Sequence, residues 1–422
     1  MKEIPLIIEN AHVVTPLGTK AVRGKEMGKI HEIPGMAIRV ENGLITHVEP
    51  KEEMPEVKDH LPYQSLDAKG MVVMPGFVDS HTHLIFGGFR PDEFEWRLKG
   101  DSYMSIMERG GGIQSTVNAT KEASSEELAK RALWFIDRMS EMGVTTVEAK
   151  SGYGLDYETE LKMLEVISNL DSDSAKTLDI VPTFLGAHAI PLEYKGRTSE
   201  YVDLIISEIL PQIKDKARFC DVFCEKNVFE LEDSRRLLKA AQEYGMKIKL
   251  HADEIVQLGG AELSAELGAV SADHLLHVSD EGIRRMAQGG VVATLLPLTA
   301  FALREPYAPA RKFIDADCAV ALATDLNPGS CFSGSIPLTI ALACIYMNMS
   351  IEETITALTL NGAAALDMAD KVGSIEPGKK ANLIILGSDN YRVLPYYVGM
   401  NCVQTTIFEG KIVYNFKPYQ QK

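Results

Sequence analysis

The sequence predicts an α/β protein: a (β/α)8, TIM-like barrel joined to a small β-sandwich domain that is built from both chain ends. Eight short, almost continuous apolar runs recur through the middle of the chain with helical segments between them. Such runs are typical of strands buried on both faces of a parallel sheet. The two chain ends instead alternate short apolar runs with turns, and neither end has enough strands to be stable alone.

The ends are therefore predicted to pair into one sandwich from residues 1–70 and 371–422, which leaves residues 71–370 for the barrel. In the first end, Asn42-Gly43 separates two apolar runs and is a strong hairpin signal. In the second end, Glu409-Gly410 marks a similar turn between the last two runs.

The middle of the chain carries the eight predicted strands and the helices between them. The clearest helix has its apolar residues, from Leu128 to Met142, on one stripe. Ser124 and Glu127 offer a capping box at its start, and Gly143 offers a stop at its end. An open doubly wound sheet is the alternative arrangement of the same elements. The predicted strands lie near residues 72–78, 145–149, 180–185, 221–224, 247–250, 270–272, 291–296 and 319–323.

Composition excludes several classes of protein. The 422 residues carry 43 Lys and Arg against 59 Asp and Glu, and this net charge of −16 argues against a nucleic-acid partner. The first residues lack the features of a signal peptide, and the longest apolar stretch falls short of the roughly 20 residues that a membrane span requires. The six Cys are scattered, as suits a reducing compartment. We therefore expect a cytoplasmic protein with no membrane partner.

His81-Thr82-His83 is the sharpest chemical feature and directly follows the first predicted strand. Residues i and i+2 of an extended chain point to the same face, so the two imidazoles can converge on one cation. A pair of polar residues in a loop is the alternative interpretation of so short a motif.

Three further potential ligands favour the metal interpretation. His251, His274 and Asp325 each fall at the end of a later predicted strand, the fifth, the sixth and the eighth. The carboxyl ends of barrel strands surround one mouth, so these side chains are expected to face the same space as His81 and His83. Nitrogen and oxygen ligands without thiolate suit zinc or iron.

This constellation resembles the amidohydrolase superfamily, whose ligands fall at the same strand ends. The segment 373–383 also resembles part of that superfamily's flanking sandwich. In binuclear members of the superfamily, a carboxylated Lys on strand 4 bridges two metals. The predicted strand 4 here, residues 221–225, contains no Lys, and Lys150 lies on the predicted strand 2. The resemblance therefore implies one divalent or trivalent metal ion per subunit, zinc or iron.

Within the superfamily, six segments resemble the imidazolonepropionase family. That resemblance implies hydrolysis of 4-imidazolone-5-propanoate, an anionic small molecule of histidine degradation, to N-formimidoyl-L-glutamate. It also implies a homodimer. The segments are residues 83–90, 110–113, 148–154, 186–191, 251–254 and 323–330.

The resemblance also implies which residues bind the substrate. Arg90 offers a planar fork for the propionate, although an ion-paired surface Arg is the alternative. Tyr153 is expected to donate to the carboxylate or the ring, with a packing role as the alternative, and His188 to hydrogen-bond the ring oxygen. The remaining residues expected at the mouth are Asn327, Gly329 and Ser330.

For catalysis, Asp325 is expected to accept a proton from water through a second, free carboxylate oxygen. Glu254 is expected to contact a ring nitrogen and relay a proton, and His274 to polarise the attacked carbonyl. The expected metal ligands are His81, His83, His251 and Asp325.

Two other functions stay open at this point. One is another mononuclear cyclic amidohydrolase, or a nucleobase or triazine deaminase, of the same superfamily. It would share the ligands but would not need Arg90 and Tyr153 to answer an anionic tail. The other is a non-catalytic scaffold with the same fold, which the presence of every expected ligand disfavours.

Overall fold

The computed structural model describes residues 4–56, 62–101, 109 and 111–416. Within these residues, sixteen strands form two sheets of eight strands each. Of the glycine-rich segment 110–113, Gly110 lies outside the described residues.

The first sheet is built from both chain ends. Its strands are β1 (Leu6–Thr15), β2 (His31–Glu41), β3 (Leu44–Glu49), β4 (Gln64–Asp67), β5 (Val72–Pro75), β14 (Leu383–Leu386), β15 (Val403–Phe408) and β16 (Lys411–Asn415). The order across the sheet is β16-β15-β14-β5-β1-β2-β3, with β4 paired to β1. The antiparallel pair of β14 and β5, which places Leu383 opposite Pro75, joins the two chain ends.

Two left-handed turns shape this sheet. Asn42 and Gly43 have φ values of 51° and 75° between β2 and β3, which confirms the predicted hairpin. Asn10 has φ 52° inside β1, where the pairing with β2 shifts in register. The first part of β1 therefore pairs with β4 and the second part with β5. The predicted sandwich region is thus one connected, bent sheet.

The second sheet is the parallel barrel, and its strands follow one another in chain order. They are β6 (Phe77–Asp79), β7 (Val144–Lys150), β8 (Asp179–Ala187), β9 (Phe219–Cys224), β10 (Lys247–Ala252), β11 (Ser271–His274), β12 (Val292–Leu295) and β13 (Val320–Leu322). A parallel bridge between Thr82 and Leu326 connects the segments that follow the first and the eighth of these strands. The predicted barrel is confirmed, and the open sheet is excluded.

The apolar run 72–78 was predicted as one strand but is two strands in different sheets. β5 pairs with β1 and β14, whereas β6 pairs with β7 of the barrel. Gly76 lies between them, where a Cβ would approach Thr145 Oγ1 to 2.3 Å, so only glycine lets the chain pass this close to β7. The division of the chain into 1–70 plus 371–422 and 71–370 stays a proposal, with the passage between sheets at Gly76.

Helices surround the barrel and cover its strands. The helix predicted over 128–142 is confirmed: it spans Ser125–Glu141, and Ser124 and Glu127 form the predicted capping box. The α-helices are α1 (Pro91–Leu98), α2 (Ile113–Glu122), α3 (Ser125–Glu141), α4 (Tyr157–Ser172), α5 (Thr198–Leu204), α6 (Leu210–Ile213), α7 (Leu231–Glu243), α8 (Gly260–Leu267), α9 (Asp280–Gly289), α10 (Pro297–Leu303), α11 (Ala310–Asp315), α12 (Ile336–Tyr346), α13 (Ile351–Leu358), α14 (Leu360–Ala365) and α15 (Val393–Tyr396). Short 3-10 turns occupy Gly24–Gly28, Lys51–Glu53 and Leu192–Tyr194, and a π turn occupies Ile205–Ile209. No helix among the described residues has the length and apolarity needed to span a membrane.

Candidate active site

Closure of the barrel brings the first potential ligands together. The Asp325 amide donates to the His81 carbonyl at 3.0 Å, and the His83 amide donates to the Leu326 carbonyl at 2.9 Å. These hydrogen bonds pair the segments that follow β6 and β13, so residues from the first and last barrel strands lie side by side. Backbone pairing thus sets the positions of His81, His83 and Asp325 before their side chains interact.

The four predicted ligand side chains converge in the barrel mouth. His81 Nε2 and His83 Nε2 each lie 3.6 Å from Asp325 Oδ1. His251 Nε2 lies 3.4 Å from His83 Nε2. His274 belongs to the same cluster, since one of its nitrogens lies within 4.8 Å of ligand atoms of His81 and Asp325.

The cluster fits a cation. His81 Nε2 and Asp325 Oδ1 are buried, and neither has a hydrogen-bond partner among the described residues. Two imidazole Nε2 atoms that face each other, as those of His83 and His251 do, cannot both be donors in a good hydrogen bond. Buried polar atoms without partners are costly, so an ion that His81 Nε2 and Asp325 Oδ1 ligate together with the Nε2 atoms of His83 and His251 would remove that cost.

Two aspartates orient two of these imidazoles. Asp273 Oδ2 lies 2.6 Å from His81 Nδ1, and Asp221 Oδ2 lies 3.0 Å from His251 Nδ1. A carboxylate on Nδ1 turns Nε2 toward the cluster, as the outer partners of metal-ligating histidines do. Sequence reasoning missed both aspartates.

Two buried lysines and a glutamate complete a charged layer below the histidines. Lys150 Nζ lies 2.7 Å from Asp221 Oδ2, 2.9 Å from Glu148 Oε2 and 3.8 Å from Asp273 Oδ2. Lys249 Nζ lies 3.0 Å from Glu148 Oε1 and 3.5 Å from Asp273 Oδ2. All five side chains are fully buried. Charged residues within short apolar strands, such as Glu148 and Lys150 in β7 and Lys249 in β10, were the sequence signal for this layer.

Burial keeps the imidazoles of His81 and His83 neutral, the state in which histidine binds metals. It lowers the pKa of His81 and of His83 well below the usual value, and the charge of Lys150 adds to the effect on His81. Burial alone would raise the pKa of Asp221, but His251 and Lys150 hold it well below its usual range. The Asp221 carboxylate is therefore an ionised acceptor beside His251 Nδ1.

The hydrogen bonding of the Asp325 carboxylate differs from what the sequence led us to expect. Its Oδ2, expected to be free, accepts a hydrogen bond of 2.6 Å from Thr299 Oγ1, which leaves Oδ1 as the atom without a partner. Its backbone has φ 54°, a left-handed conformation that turns the side chain into the mouth. Burial raises the pKa of Asp325 to about 6.

Glu254 and His274 face each other across the mouth. Glu254 Oε1 lies 3.5 Å from His274 Nδ1, and neither ring nitrogen of His274 has a hydrogen-bond partner among the described residues. Burial, with smaller effects from Asp325 and Glu225, raises the pKa of Glu254 to about 8. A carboxylic acid that keeps its proton at neutral pH thus lies beside an imidazole with free nitrogens.

Tyr153 and His188 form one wall of the mouth. The His188 ring stacks on that of His83 with centroids 4.8 Å apart, and Tyr153 lies 5.2 Å from His188 and 5.8 Å from His83. Burial raises the pKa of Tyr153, so its hydroxyl remains a donor. Burial lowers the pKa of His188 to about 3, with a contribution from Arg90, so the ring is neutral.

Arg90 lies across the loop that follows β13. A Cβ on Gly329 would come within 2.1 Å of Arg90 Nη2, so a larger residue at this position would displace the guanidinium. The one acidic side chain bonded to Arg90 among the described residues is Glu93, at 3.4 Å, and Arg90 Nε is buried without a partner. Arg90 therefore does form an ion pair, the alternative role expected from the sequence, but other donors of its guanidinium remain available.

Asn327 shapes this loop from within. Its Oδ1 accepts from the amides of Gly329 at 2.8 Å and Ser330 at 2.7 Å, and its Nδ2 donates to the Asp325 carbonyl and to Ser330 Oγ. The side chain is thus occupied by its own loop. Gly329 and Ser330 lie in the loop that Asn327 holds, with Gly329 beside Arg90, and their place in a substrate pocket stays a prediction.

Comparison with known proteins decides the family. A sequence profile described as the amidohydrolase family matches residues 72–413. The chain is 62% identical over 412 residues to a protein of Phocaeicola vulgatus named imidazolonepropionase, with 97% of this chain and 99% of that protein covered. A protein of the same name from Bacteroides thetaiotaomicron is 64% identical over 411 residues, with coverage of 96% and 98%. The chain belongs to the imidazolonepropionase family of amidohydrolases. The resemblance found in the sequence is confirmed.

Solved structures agree with this amidohydrolase fold. A 5-methylcytosine deaminase from Klebsiella pneumoniae liganded with 5-fluorocytosine has a TM-score of 0.73 at 18% identity, over 99% of each chain. An adenosine deaminase from Xanthomonas campestris with bound zinc has a TM-score of 0.69 at 21% identity, over 98% of this chain and 93% of that one. Family membership and the cluster of His and Asp side chains together indicate a divalent metal.

Proposed function

We propose that this chain is an imidazolonepropionase, which hydrolyses the ring C–N bond of 4-imidazolone-5-propanoate in histidine degradation. Water adds to the ring carbonyl carbon, the C–N bond breaks, and the ring nitrogen leaves with a proton, which gives N-formimidoyl-L-glutamate. The observation that carries the proposal is the identity of 62% and 64%, over nearly the whole chain, to two proteins of that name.

His81, His83, His251 and Asp325 would hold one metal ion per subunit, either zinc or iron. The fit rests on their converging nitrogen and oxygen atoms, of which His81 Nε2 and Asp325 Oδ1 have no hydrogen-bond partner among the described residues. When bound, such an ion supplies Lewis acidity that lowers the pKa of water to roughly 7.

The other steps belong to side chains of the mouth. The Asp325 carboxylate accepts the proton of the attacking water, while Thr299 donates to its Oδ2 and Oδ1 would ligate the ion. His274 donates to the carbonyl oxygen as negative charge develops there. Glu254, whose raised pKa keeps it protonated, donates to the leaving ring nitrogen.

Substrate binding would use Arg90 together with the wall that Tyr153 and His188 form. The Arg90 guanidinium would take the propionate as a bidentate fork, with the backbone at Gly329 and Ser330 beneath it. Tyr153 would donate to the carboxylate or the ring, and His188 would hydrogen-bond the ring oxygen. Asn327 supports this pocket through its loop.

The decisive experiment is turnover of 4-imidazolone-5-propanoate by the purified protein, with metal content measured in parallel. We expect turnover that disappears on chelation and returns with zinc or iron. The competing function is that of a nucleobase or triazine deaminase, which the two structural matches leave open, because at 18% and 21% identity they show the fold alone. Ammonia release from cytosine or guanine without turnover of the imidazolone would establish that rival.

Replacing Arg90 with Met is expected to raise KM about tenfold to a hundredfold, because a hydrogen bond to a charged group contributes about 1.5–3 kcal/mol. Steady-state kinetics with the propionate substrate and with an imidazolone lacking the carboxylate measure this effect. The variant should lose the enzyme's preference for the first substrate over the second.

Arg90→Lys provides the matched control, since it keeps the charge and loses the fork. We expect its KM to fall between those of wild type and Arg90→Met. An unchanged KM in Arg90→Met would place the carboxylate elsewhere.

Replacing Lys150 with Met is expected to weaken metal affinity about tenfold to a hundredfold, the usual cost of losing an outer partner of a metal ligand. The change removes the cation that Asp221 and Asp273 share, so both aspartates lose part of their hold on His251 and His81. Competition with a chelator of known affinity measures the change.

Lys249→Met is the control for loss of a buried charge. Lys249 is equally buried and contacts Glu148 and Asp273, but it does not contact Asp221. We expect a smaller loss of affinity. Equal losses in the two variants would mean that buried charge as such, rather than the anchor on His251, holds the metal.

We also propose a cytoplasmic homodimer, on the resemblance to the family. Light scattering of the purified protein tests the assembly, and the mass of a single chain would contradict it.

A further inference from the structure

Two buried side chains that do not line the mouth connect the loops that carry Tyr153 and His188. The first loop, residues 151–156, follows β7, and the second, residues 188–191, follows β8. Glu160 lies in α4 and Tyr201 in α5, and both are completely buried. Neither has a part in the chemistry proposed above.

Glu160 accepts hydrogen bonds from the backbone of the first loop. Its carboxylate accepts from the amides of Gly152 at 3.0 Å, Gly154 at 2.7 Å and Leu155 at 2.9 Å. Three amides on one carboxylate impose a tight turn, with Gly152 at φ 106° and Leu155 at φ 59°. Tyr153, between these amides, is thereby held facing the mouth.

Tyr201 ties that turn to the end of β8, two residues before His188. Its hydroxyl lies 3.1 Å from the Leu155 carbonyl and 2.8 Å from the Gly186 carbonyl, so one donor is shared between the first loop and β8. His188 Nδ1 lies 3.1 Å from the Gly152 carbonyl. The first loop is therefore joined both to the end of β8 and to His188 in the second loop.

We propose that Glu160 and Tyr201 are positioning residues for substrate binding, which hold Tyr153 and His188 on one rigid unit without touching the substrate. The inference rests on the proposed function, because it assigns both loops to the substrate pocket. Preorganisation of this kind lowers the cost of binding, since the contacting side chains are already ordered.

The test is Tyr201→Phe, which removes one hydroxyl and keeps the ring. We expect KM to rise about fivefold to tenfold, the equivalent of one lost hydrogen bond, with kcat changed less than about twofold. Glu160→Gln is the second variant. The side-chain NH2 of Gln would face the backbone N–H of Gly152, and two donors cannot form the hydrogen bond that the carboxylate accepts. We expect a larger rise in KM there.

Tyr391→Phe is the matched control. Tyr391 is also buried, and its hydroxyl donates to Glu352 Oε1 at 2.7 Å, far along the chain from both loops. We expect its KM to equal that of wild type. Amide hydrogen exchange should accelerate at Gly152 and Leu155 in the two test variants and remain unchanged there in the control.

The outcomes separate this inference from the proposed function. Raised KM with faster local exchange supports it. A lower Tm with normal KM would reduce both residues to a structural role and overturn it, as would unchanged KM, exchange and Tm. No turnover by the unmodified protein would reject the proposed function instead, and with it the assignment of the loops to this substrate.

Discussion

Replacing Asp325 with Asn is expected to lower kcat/KM by about a thousandfold or more, within the range observed when a catalytic base is removed. Asn keeps the size of the side chain and an oxygen that can accept from Thr299, but it removes the negative charge from the cluster. The side chain, whose Oδ1 faces His81 and His83 at 3.6 Å in the wild type, could then neither accept the proton of water nor balance the charge of a cation. Kinetics at saturating metal, with metal content measured per chain, distinguish these two losses.

Thr299→Val is the control for orientation of the same carboxylate. It removes the hydrogen bond to Oδ2 and leaves the charge in place, so we expect a loss of only about tenfold. If metal-replete Asp325→Asn kept kcat/KM within about tenfold of wild type, the role of Asp325 as the base would be wrong.

Replacing Glu254 with Gln is expected to lower kcat about a hundredfold and to remove the alkaline limb of the pH–rate profile. Burial raises the pKa of Glu254 to about 8, so the carboxyl is protonated at pH 7 and loses its proton as the pH rises through that value. If Glu254 is the donor to the leaving nitrogen, activity is present below about pH 8 and falls above it. Gln does not titrate, so the residual activity of the variant should lack that limb.

Two further variants sharpen this result. Glu225 is one of the acids whose charge raises the pKa of Glu254, so Glu225→Gln should keep the limb and move it to lower pH. His274→Ala should lower kcat by a comparable factor through loss of the carbonyl donor, with the limb retained. Near-normal kcat/KM in Glu254→Gln, or a limb that persists in it, would contradict the role of Glu254. Near-normal kcat/KM in His274→Ala would contradict that of His274.

The sequence predicted the barrel and the convergence of its ligands because both follow from local pattern. Each of His81, His251, His274 and Asp325 comes at or just after the end of an apolar run, and the carboxyl ends of barrel strands share one mouth. The resemblance to a family then assigned roles that spacing alone leaves open. The placement of Arg90 beside Gly329 depended on that resemblance.

The charged layer could not be predicted in the same way. Lys150, Asp221 and Asp273 lie on β7, β9 and β11, which are not adjacent strands, so their contacts cross the barrel interior. Such contacts depend on the stagger of the closed sheet, which no single segment encodes. The split of the run 72–78 is similar, because only tertiary pairing assigns β5 and β6 to different sheets.

The hydrogen bonds between the segments after β6 and β13 have a consequence for the synthesis and folding of the protein. The backbone of His81 and of Asp325 closes the barrel, and the side chains of the same two residues face the cluster. A nascent chain on the ribosome therefore cannot offer the complete donor set until its eighth barrel strand has been synthesised and has docked. A chain stalled before Asp325 has histidines to offer a cation but no carboxylate from this position, so the complete donor set forms only once the eighth strand is in place.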